Sequence, residues 1–278
     1  MSGTPRARAL GAQLRRVRKE AGLSLRDLAQ KMGTTFSTIG KWETGERSPR
    51  LEDVVRCLDA LEVDGARREE LLDLAQSTDG PHWIAVGMPA PPQQLVALMD
   101  FERRARTITE VTPLIVPGLL QTADYARSMM TASGMKRTEV ETRVAMRVGR
   151  RDVLHRNSLH FTAIIGEAAL RAVIGGKSVM IDQLRFLLKW GQQPNITLRL
   201  VSQESDWNPL LEGQFAVITF ESDDPIATSE NQISSLFFHR PKDVASFQER
   251  IDQLLTTSME LPDTLGWIAN RVTYLESL

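Results

Sequence analysis

The sequence predicts an all-α head of five short helices followed by a mixed α/β (α+β) domain with a small sheet. With 278 residues, the chain is longer than one hydrophobic core usually requires, so two domains are expected. Apolar residues recur at helical spacing through residues 1–76, whereas helix-like and strand-like segments alternate over residues 95–278. Residues 77–94 contain four prolines, a density that favours an extended connector between the two domains.

The first three helices of the head are marked by their apolar spacing and end signals. A helix over residues 9–21 should close at Gly22. Ser24 can cap the second helix, with Asp27 three residues on as a short capping box, and Gly33 supplies the left-handed residue at its end. Thr34 or Thr35 can cap the third helix, on which Phe36, Ile39 and Trp42 recur at helical spacing.

The last two helices of the head are predicted in the same way. Gly45 is placed to end the third helix, and Ser48-Pro49 has the signature of a helix start. The fourth helix carries apolar residues from Leu51 to Leu61, and a fifth should run from about Ala66 to Gln76.

The second and third helices, joined by the Gly33 turn, have the pattern of a helix-turn-helix, whose second helix can enter the DNA major groove. Positive charge is concentrated there: residues 1–50 hold eleven Lys or Arg against four acids, a net +7, whereas residues 51–75 have three against eight, a net −5. This asymmetry suits binding to DNA phosphates despite the overall charge of −1. The alternative is a helical hairpin with no role in DNA binding.

Phosphate contacts are predicted on either side of the third helix. Ser24 and the neighbouring amides at the start of the second helix can bind an anion. Thr44, Arg47 and Arg50 can contribute from the other side, although any single arginine there can equally be a solvated charge.

The segment from Arg15 to Arg50 resembles the Cro/repressor-type (xenobiotic-response-element, XRE-like) helix-turn-helix family, and the resemblance extends over about residues 10–75. It implies a structural pair between Arg18 and Glu43. It also implies base-reading positions on the third helix at Thr35, Phe36, Ser37 and Lys41. Lys41 suits guanine, Ser37 suits several bases, and Phe36 suits a thymine methyl or, alternatively, a packing role.

The second domain interleaves helices and strands. A helix from Leu95 should lead into ERRARTITE, followed by an extended VTPLIVPGLL, and Thr122 should cap a helix through Met130. Further helices are predicted at about 138–156, after Ser178, at 244–257 and at 265–275, and strands at 159–165, 196–202, 214–220 and 226–230. GEAALRAVI should form a short helix.

GLLQTADYARSMM, the charged helix after it and the EAALR segment resemble the C-terminal domain of actinobacterial antitoxin-like helix-turn-helix regulators, over residues 98–275. Members of that group are often encoded beside a very small protein. The resemblance therefore implies a small protein partner.

The sequence offers little sign of catalysis. Its four histidines show no ligand spacing and its single cysteine, Cys57, fits a core position, so we expect no enzyme activity, metal site or cofactor. Trp207, Phe237 and Phe238 are predicted in loops, where they can form an effector pocket or partner surface, or anchor loops to an ordinary core. The chain lacks an apolar run long enough for a membrane span and lacks a signal-peptide pattern, so a cytoplasmic location is expected.

These observations favour a sequence-specific DNA-binding transcriptional regulator whose partner is double-stranded DNA and whose second domain binds an effector or a small protein. We expect a homodimer, because one recognition helix rarely reads enough sequence. One alternative is an antitoxin-like protein that neutralises a small partner and autoregulates by binding DNA. The other is an enzyme fused to a DNA-binding head.

Overall fold

The computed structural model describes residues 4–76, 82–86, 92–230 and 234–278. The predicted fold class is confirmed, because five helices precede a region that mixes helices and strands. The chain forms two compact units, one of Met1–Arg104 with Phe220–Val244 and one of Ala105–Thr219 with Ala245–Leu278. These units do not coincide with the predicted ranges 1–76, 77–94 and 95–278, which remain a prediction of how the domains follow one another along the chain.

The first unit begins with the five helices of the head. They are α1 Pro5–Glu20, α2 Leu25–Met32, α3 Phe36–Glu43, α4 Leu51–Ala60 and α5 Gly65–Ala75. The predicted helix start at Ser48-Pro49 was wrong, since α4 begins at Leu51 with Arg50 as its N-cap. Arg50 is extended, with φ −69° and ψ 155°, so helical backbone begins only after it and Pro49 belongs to the loop.

Helix α1 is the centre of this unit, because it packs against α3, α5 and a later helix, α6, at Pro92–Arg104. Even polar side chains on α1 are therefore buried, including Arg8 at 3% exposure and Gln13 at 4%. The apolar residues Leu10, Leu28, Ile39, Leu58 and Leu71 from the five helices are almost fully buried.

The first unit also contains three antiparallel strands. β7 (Ser234–Phe238) lies between β1 (His82–Val86) and β6 (Ile226–Glu230) and is antiparallel to both. β1 falls within the predicted extended connector, of which residues 77–81 and 87–91 lie outside the described residues. The prediction of a loop around Phe237 and Phe238 was wrong. Both lie in β7, where Phe237 is opposite Thr228 of β6.

The second unit is built on parallel strands with helical crossovers. Strands β2 (Ala105–Thr112), β3 (His160–Gly166) and β4 (Ile196–Val201) pair in parallel, and β5 (Phe215–Phe220) lies on the other side of β2. The helices are α7 Ala123–Ala132, α8 Arg137–Arg150, α9 Glu167–Arg171, α10 Lys177–Trp190, α11 Pro241–Thr257 and α12 Leu261–Ser277. α7 packs on α8 through Ala126, Met130, Val140 and Val144, and α10 packs on α12.

Several predictions for this region need correction. ARTITE, predicted to continue a helix, forms β2 together with Val111 and Thr112, which were predicted as extended, and Ile108 and Val111 of this strand are buried. The charged helix ends at Arg150 and continues only as a 3-10 turn, and α10 is capped by Gly176 instead of Ser178. The cap at Thr122 is confirmed, because its hydroxyl accepts a hydrogen bond from the amide of Tyr125. No helix in the described part of the chain is long and apolar enough to cross a bilayer.

Candidate nucleic-acid interface

The start and end of α2 are fixed by local hydrogen bonds. The Ser24 hydroxyl accepts from the Asp27 amide at 3.2 Å, and the Asp27 carboxylate accepts from the Ser24 amide at 2.8 Å, as the predicted capping box requires. Hydrogen bonding with the side chain and backbone of Ser24 lowers the pKa of Asp27. Gly33 ends the helix in the left-handed region at φ 64°. The turn into α3 thus has one defined geometry.

Helix α3 has one buried and one exposed side. Thr35 caps it by accepting from the Thr38 amide at 3.1 Å, and the hydroxyls of Thr35 and Thr38 lie 2.9 Å apart. Ile39 and Trp42 are buried at 1% and 4% exposure, whereas Phe36 is 55% exposed. The helix is therefore held by its inner residues and leaves its outer residues open to a ligand.

All the side chains predicted to contact DNA lie at the surface. They are Ser24, Thr35, Phe36, Ser37, Lys41, Thr44, Arg47 and Arg50, and each is exposed. They come from the start of α2, the outer side of α3 and the loop that follows it. The structure thus brings the predicted base-reading and phosphate-binding positions onto one short helix-turn-helix segment.

The cations of this surface differ in their partners. The Lys41 ammonium lies 3.4 Å from the Glu46 carboxylate, and both side chains are at least half exposed. Such an exposed pair contributes only about 0–1 kcal/mol, so a stronger acceptor can displace Glu46. Within the described ranges, Arg47 and Arg50 form no ion pair, which leaves both guanidinium groups able to bind phosphate.

Arg18 of α1 and Glu43 at the end of α3 form the pair that the family resemblance implied. Nε and Nη2 of Arg18 donate to the two carboxylate oxygens of Glu43 at 2.5 and 2.8 Å. Arg18 also donates to the Leu23 carbonyl at 2.6 Å, and Arg15 to the Glu43 carbonyl at 3.1 Å. Both paired residues are buried, and the hydrogen bond to Glu43 raises the pKa of Arg18. The pair fixes the end of α3 to α1.

Two glycines bring the helices into close contact: Gly11, to which sequence reasoning assigned no role, and Gly45, which was predicted only to end the third helix. A Cβ atom on Gly11 of α1 would lie 2.2 Å from the Trp42 carbonyl oxygen, so only glycine allows α1 and α3 to approach this closely. Gly45 has φ 71°, and a Cβ there would lie 2.6 Å from the Arg8 Cα. A glycine inside the helical pattern of residues 9–21 was the available signal for Gly11.

Arg26 is a further residue of this surface that the sequence analysis missed. It is exposed on the first turn of α2, and its guanidinium carbon lies 5.8 Å from the centre of the Phe36 ring. This distance is within the range of a cation–π contact. Arg26 therefore belongs with the outer side of α3 as well as with α2.

The aromatic residues proposed for an effector or partner surface are not equivalent. Trp207 is 65% exposed, whereas Phe237 is 1% exposed and packs on Phe101 at 5.9 Å between ring centres. Phe237 is a core residue of the first unit, and Phe238 is partly buried. Among the described residues, no group of three or more His, Cys, Asp and Glu side chains is arranged to hold a metal ion.

Comparison with known proteins bears on both parts of the chain. A family model described as a helix-turn-helix domain matches residues 9–71, which confirms the predicted motif and supports a DNA-binding regulator. Among curated proteins, none matches the sequence. The resemblance to antitoxin-like regulators stays a prediction.

Among solved structures, the chain is similar to TrmBL2, an archaeal chromatin protein whose structure is described as showing a novel mode of DNA binding. It is 12% identical over 75% of this chain and 66% of that chain, just under two thirds of its length, with a TM-score of 0.32, too low to carry an argument. A second family model, described as a domain of unknown function (DUF5753), matches residues 95–270. Because this match covers more than half of the sequence, the chain belongs to the family defined by that domain, here joined to an amino-terminal helix-turn-helix domain.

Proposed function

We propose that this protein is a sequence-specific DNA-binding transcriptional regulator that inserts α3 into the major groove. The observation that carries the proposal is the division of α3 into two sides. Its inner side is buried and tied to α1 through Glu43, and its outer side exposes Phe36, Ser37 and Lys41. The match to a helix-turn-helix domain supports the same function.

The exposed residues divide into two roles. On α3, Lys41 donates to guanine O6 or N7, Ser37 bonds to several bases, and Phe36 contacts a thymine methyl. Thr35, the N-cap of α3, is a further base-reading position. Phosphates are bound on both flanks of α3 by Ser24, Thr44, Arg47 and Arg50. The Ser24 hydroxyl accepts from the Asp27 amide, so its own proton stays available for a phosphate oxygen.

The experiment that tests this function is selection of binding sites by the full chain from random duplexes, followed by footprinting on the DNA upstream of its own gene. We expect one motif to be enriched and protected. Arg16→Ala removes a surface arginine outside the helix-turn-helix and should select the same motif, since Arg16 lies on α1 and pairs with Glu20 at 2.8 Å. A protein that enriches no motif would contradict the proposal.

We further propose that the protein binds DNA as a homodimer. Its two recognition helices then require half-sites about one helical turn apart, roughly 34 Å centre to centre, or a multiple of that distance. Footprinting at saturating protein, with the mass of the complex measured by sedimentation, tests this arrangement. A single unpaired footprint bound by one chain would contradict it.

The second domain is proposed to bind an effector, either a small molecule or a small protein. A small protein is favoured by two large apolar side chains on one loop, Trp207 at 65% exposure and Leu211 at 66%. If binding that protein is its main task, DNA binding serves autoregulation, which is the antitoxin-like alternative.

Titration of the full chain with any very small protein encoded beside its gene, as the family resemblance implies, tests the partner role. Trp207→Ala should weaken binding, whereas Met146→Ala on α8, which is 41% exposed, should not. Equal binding by both variants would show that Trp207 is not part of the interface. If the wild-type chain does not bind the small protein, the partner role is contradicted, whereas the proposal of DNA binding is unaffected.

A further inference from the structure

The contact between Arg26 and Phe36 places a second cation at the start of α3. Arg26 is the second residue of α2 and Phe36 the first of α3, so the two side chains bridge the turn between the helices. The guanidinium lies 5.8 Å from the ring centre, and both side chains are exposed. The contact therefore lies on the outer side of the helix-turn-helix and not in its core.

The hydrogen-bonding capacity of Arg26 is not used within the unit. Across the described parts of the chain, the side chain of Arg26 has no hydrogen bond or ion pair. The guanidinium is planar and carries its N–H donors in a fixed fork, and a cation–π contact leaves those donors unbonded. Arg26 thus presents a free planar fork beside the first turn of α3.

We propose that Arg26 donates to a guanine base that lies beside the first turn of α3. The Phe36 ring positions the guanidinium and itself contacts the methyl group of a neighbouring thymine. The inference rests on the proposed insertion of α3 into the major groove. A planar fork matches the O6 and N7 acceptors of guanine, and the ring matches the thymine methyl. The expected motif therefore has a guanine next to a thymine at one position of each half-site.

A phosphate contact is the competing role for Arg26. The contact with Phe36 holds the guanidinium beside the first residue of α3, the helix proposed to enter the groove. This position favours a base contact over a phosphate contact.

The test compares Arg26→Gln with wild type in site selection by the full chain. Glutamine pairs with adenine as arginine pairs with guanine, so the preference at one position should change from guanine to adenine. Wild type should prefer guanine there by roughly 5- to 150-fold, the usual range for one bidentate contact. Arg16→Gln on α1 is the matched control and should leave the motif unchanged.

Phe36→Leu tests the platform separately, because leucine keeps an apolar contact and removes the ring. The guanine preference at the same position should fall, while thermal unfolding and binding to the rest of the motif stay close to wild type. Replacing the neighbouring thymine by deoxyuridine removes its methyl and should weaken wild type more than Phe36→Ala. An unchanged guanine preference in Phe36→Leu would overturn the role of the ring.

Two other results for Arg26→Gln would overturn the inference, and a third result, for wild type, would instead contradict the proposed function. If Arg26→Gln binds all sequences more weakly by the same factor and lowers the salt slope by about one, Arg26 is a phosphate contact and the inference is overturned. An unchanged motif and affinity would also overturn it. If wild type selects no motif at all, the proposed function itself fails, and that result is separate from either outcome.

Discussion

The strongest single constraint on the recognition helix is a buried pair of charges. Arg18 and Glu43 are 8% and 5% exposed and are joined by two hydrogen bonds. A buried ion pair adds little net stability, because desolvation offsets most of its attraction. Its effect is on geometry: Arg15 of α1 also lies 3.7 Å from the Glu43 carboxylate, but Arg18 alone joins both carboxylate oxygens by hydrogen bonds and so fixes where α3 lies along α1.

Glu43→Ala should therefore destabilise the protein by about 3–5 kcal/mol, since it leaves the Arg18 charge buried without its partner. Arg18→Met with Glu43→Leu should recover much of that loss and still weaken DNA binding. Urea unfolding of the single and double variants measures both effects. Glu20→Ala, which breaks exposed pairs with Arg16 and Arg67, is the control and should cost about 1 kcal/mol or less. A similarly small effect of Glu43→Ala would show that the pair is solvated.

Cys57 gives a second prediction for a single residue. It is 1% exposed, and burial, with a smaller contribution from the Glu43 charge, raises the pKa of its thiol to about 12. The folded state thus favours the protonated thiol. This contribution is complete below the ordinary thiol pKa of about 8.5 and is lost as the pH rises towards 12.

Iodoacetamide at pH 8 should leave folded protein unlabelled and label it fully in urea. The chain has one cysteine, so mass spectrometry reports on Cys57 alone. Rapid labelling of the folded protein would mean that the site opens or that its thiol is ionised.

Among the helices and strands, the sequence could predict those features that depend on residues close together in the chain. The capping box at Ser24, the left-handed Gly33 and the cap at Thr122 depend on residues a few positions apart, and the structure contains all three. Strands β1 and β7 were missed because each is stabilised by pairing with a distant segment, here with each other. The close approach of α1 and α3 at Gly11 was missed for the same reason.

Gly11→Ala and Gly40→Ala test that approach as a matched pair. The added methyl on Gly11 meets the Trp42 carbonyl oxygen, so the variant should lose about 1–3 kcal/mol of unfolding free energy or more. On Gly40 of α3 the methyl meets no atom within 4 Å, and the higher helix propensity of alanine should stabilise the protein by about 0.5–1 kcal/mol. Equal effects of the two substitutions would contradict the tight α1–α3 contact.

For the whole molecule, the positions of the predicted contact residues were accessible from the sequence, because a short motif fixes which residues of α3 face outward. Arg26 was not, since its contact with Phe36 appears only once the turn has a geometry. The effector surface was the least predictable. Trp207 is exposed as that hypothesis requires, whereas Phe237 is buried in a core, as the alternative held, although it lies in a strand and not in a loop.

Binding energetics should separate base-reading from phosphate-binding residues. Lys41→Ala should cost about 1–3 kcal/mol on the selected motif and little on other DNA. Arg47→Ala should weaken binding to all sequences alike and reduce the salt slope by about one, because one phosphate contact is lost. A uniform loss in Lys41→Ala would make it a phosphate contact, and an unchanged slope in Arg47→Ala would remove it from that set.

The central claim is that the outer side of α3 reads DNA sequence. Its most direct test is the ratio of Kd values of the full chain for the selected duplex and for a shuffled duplex of the same composition, at about 0.15 M salt. The selected duplex should bind tighter by about 1,000-fold or more, the usual margin for specific recognition. A ratio near one, with binding that depends only on salt, would contradict sequence recognition by this helix-turn-helix.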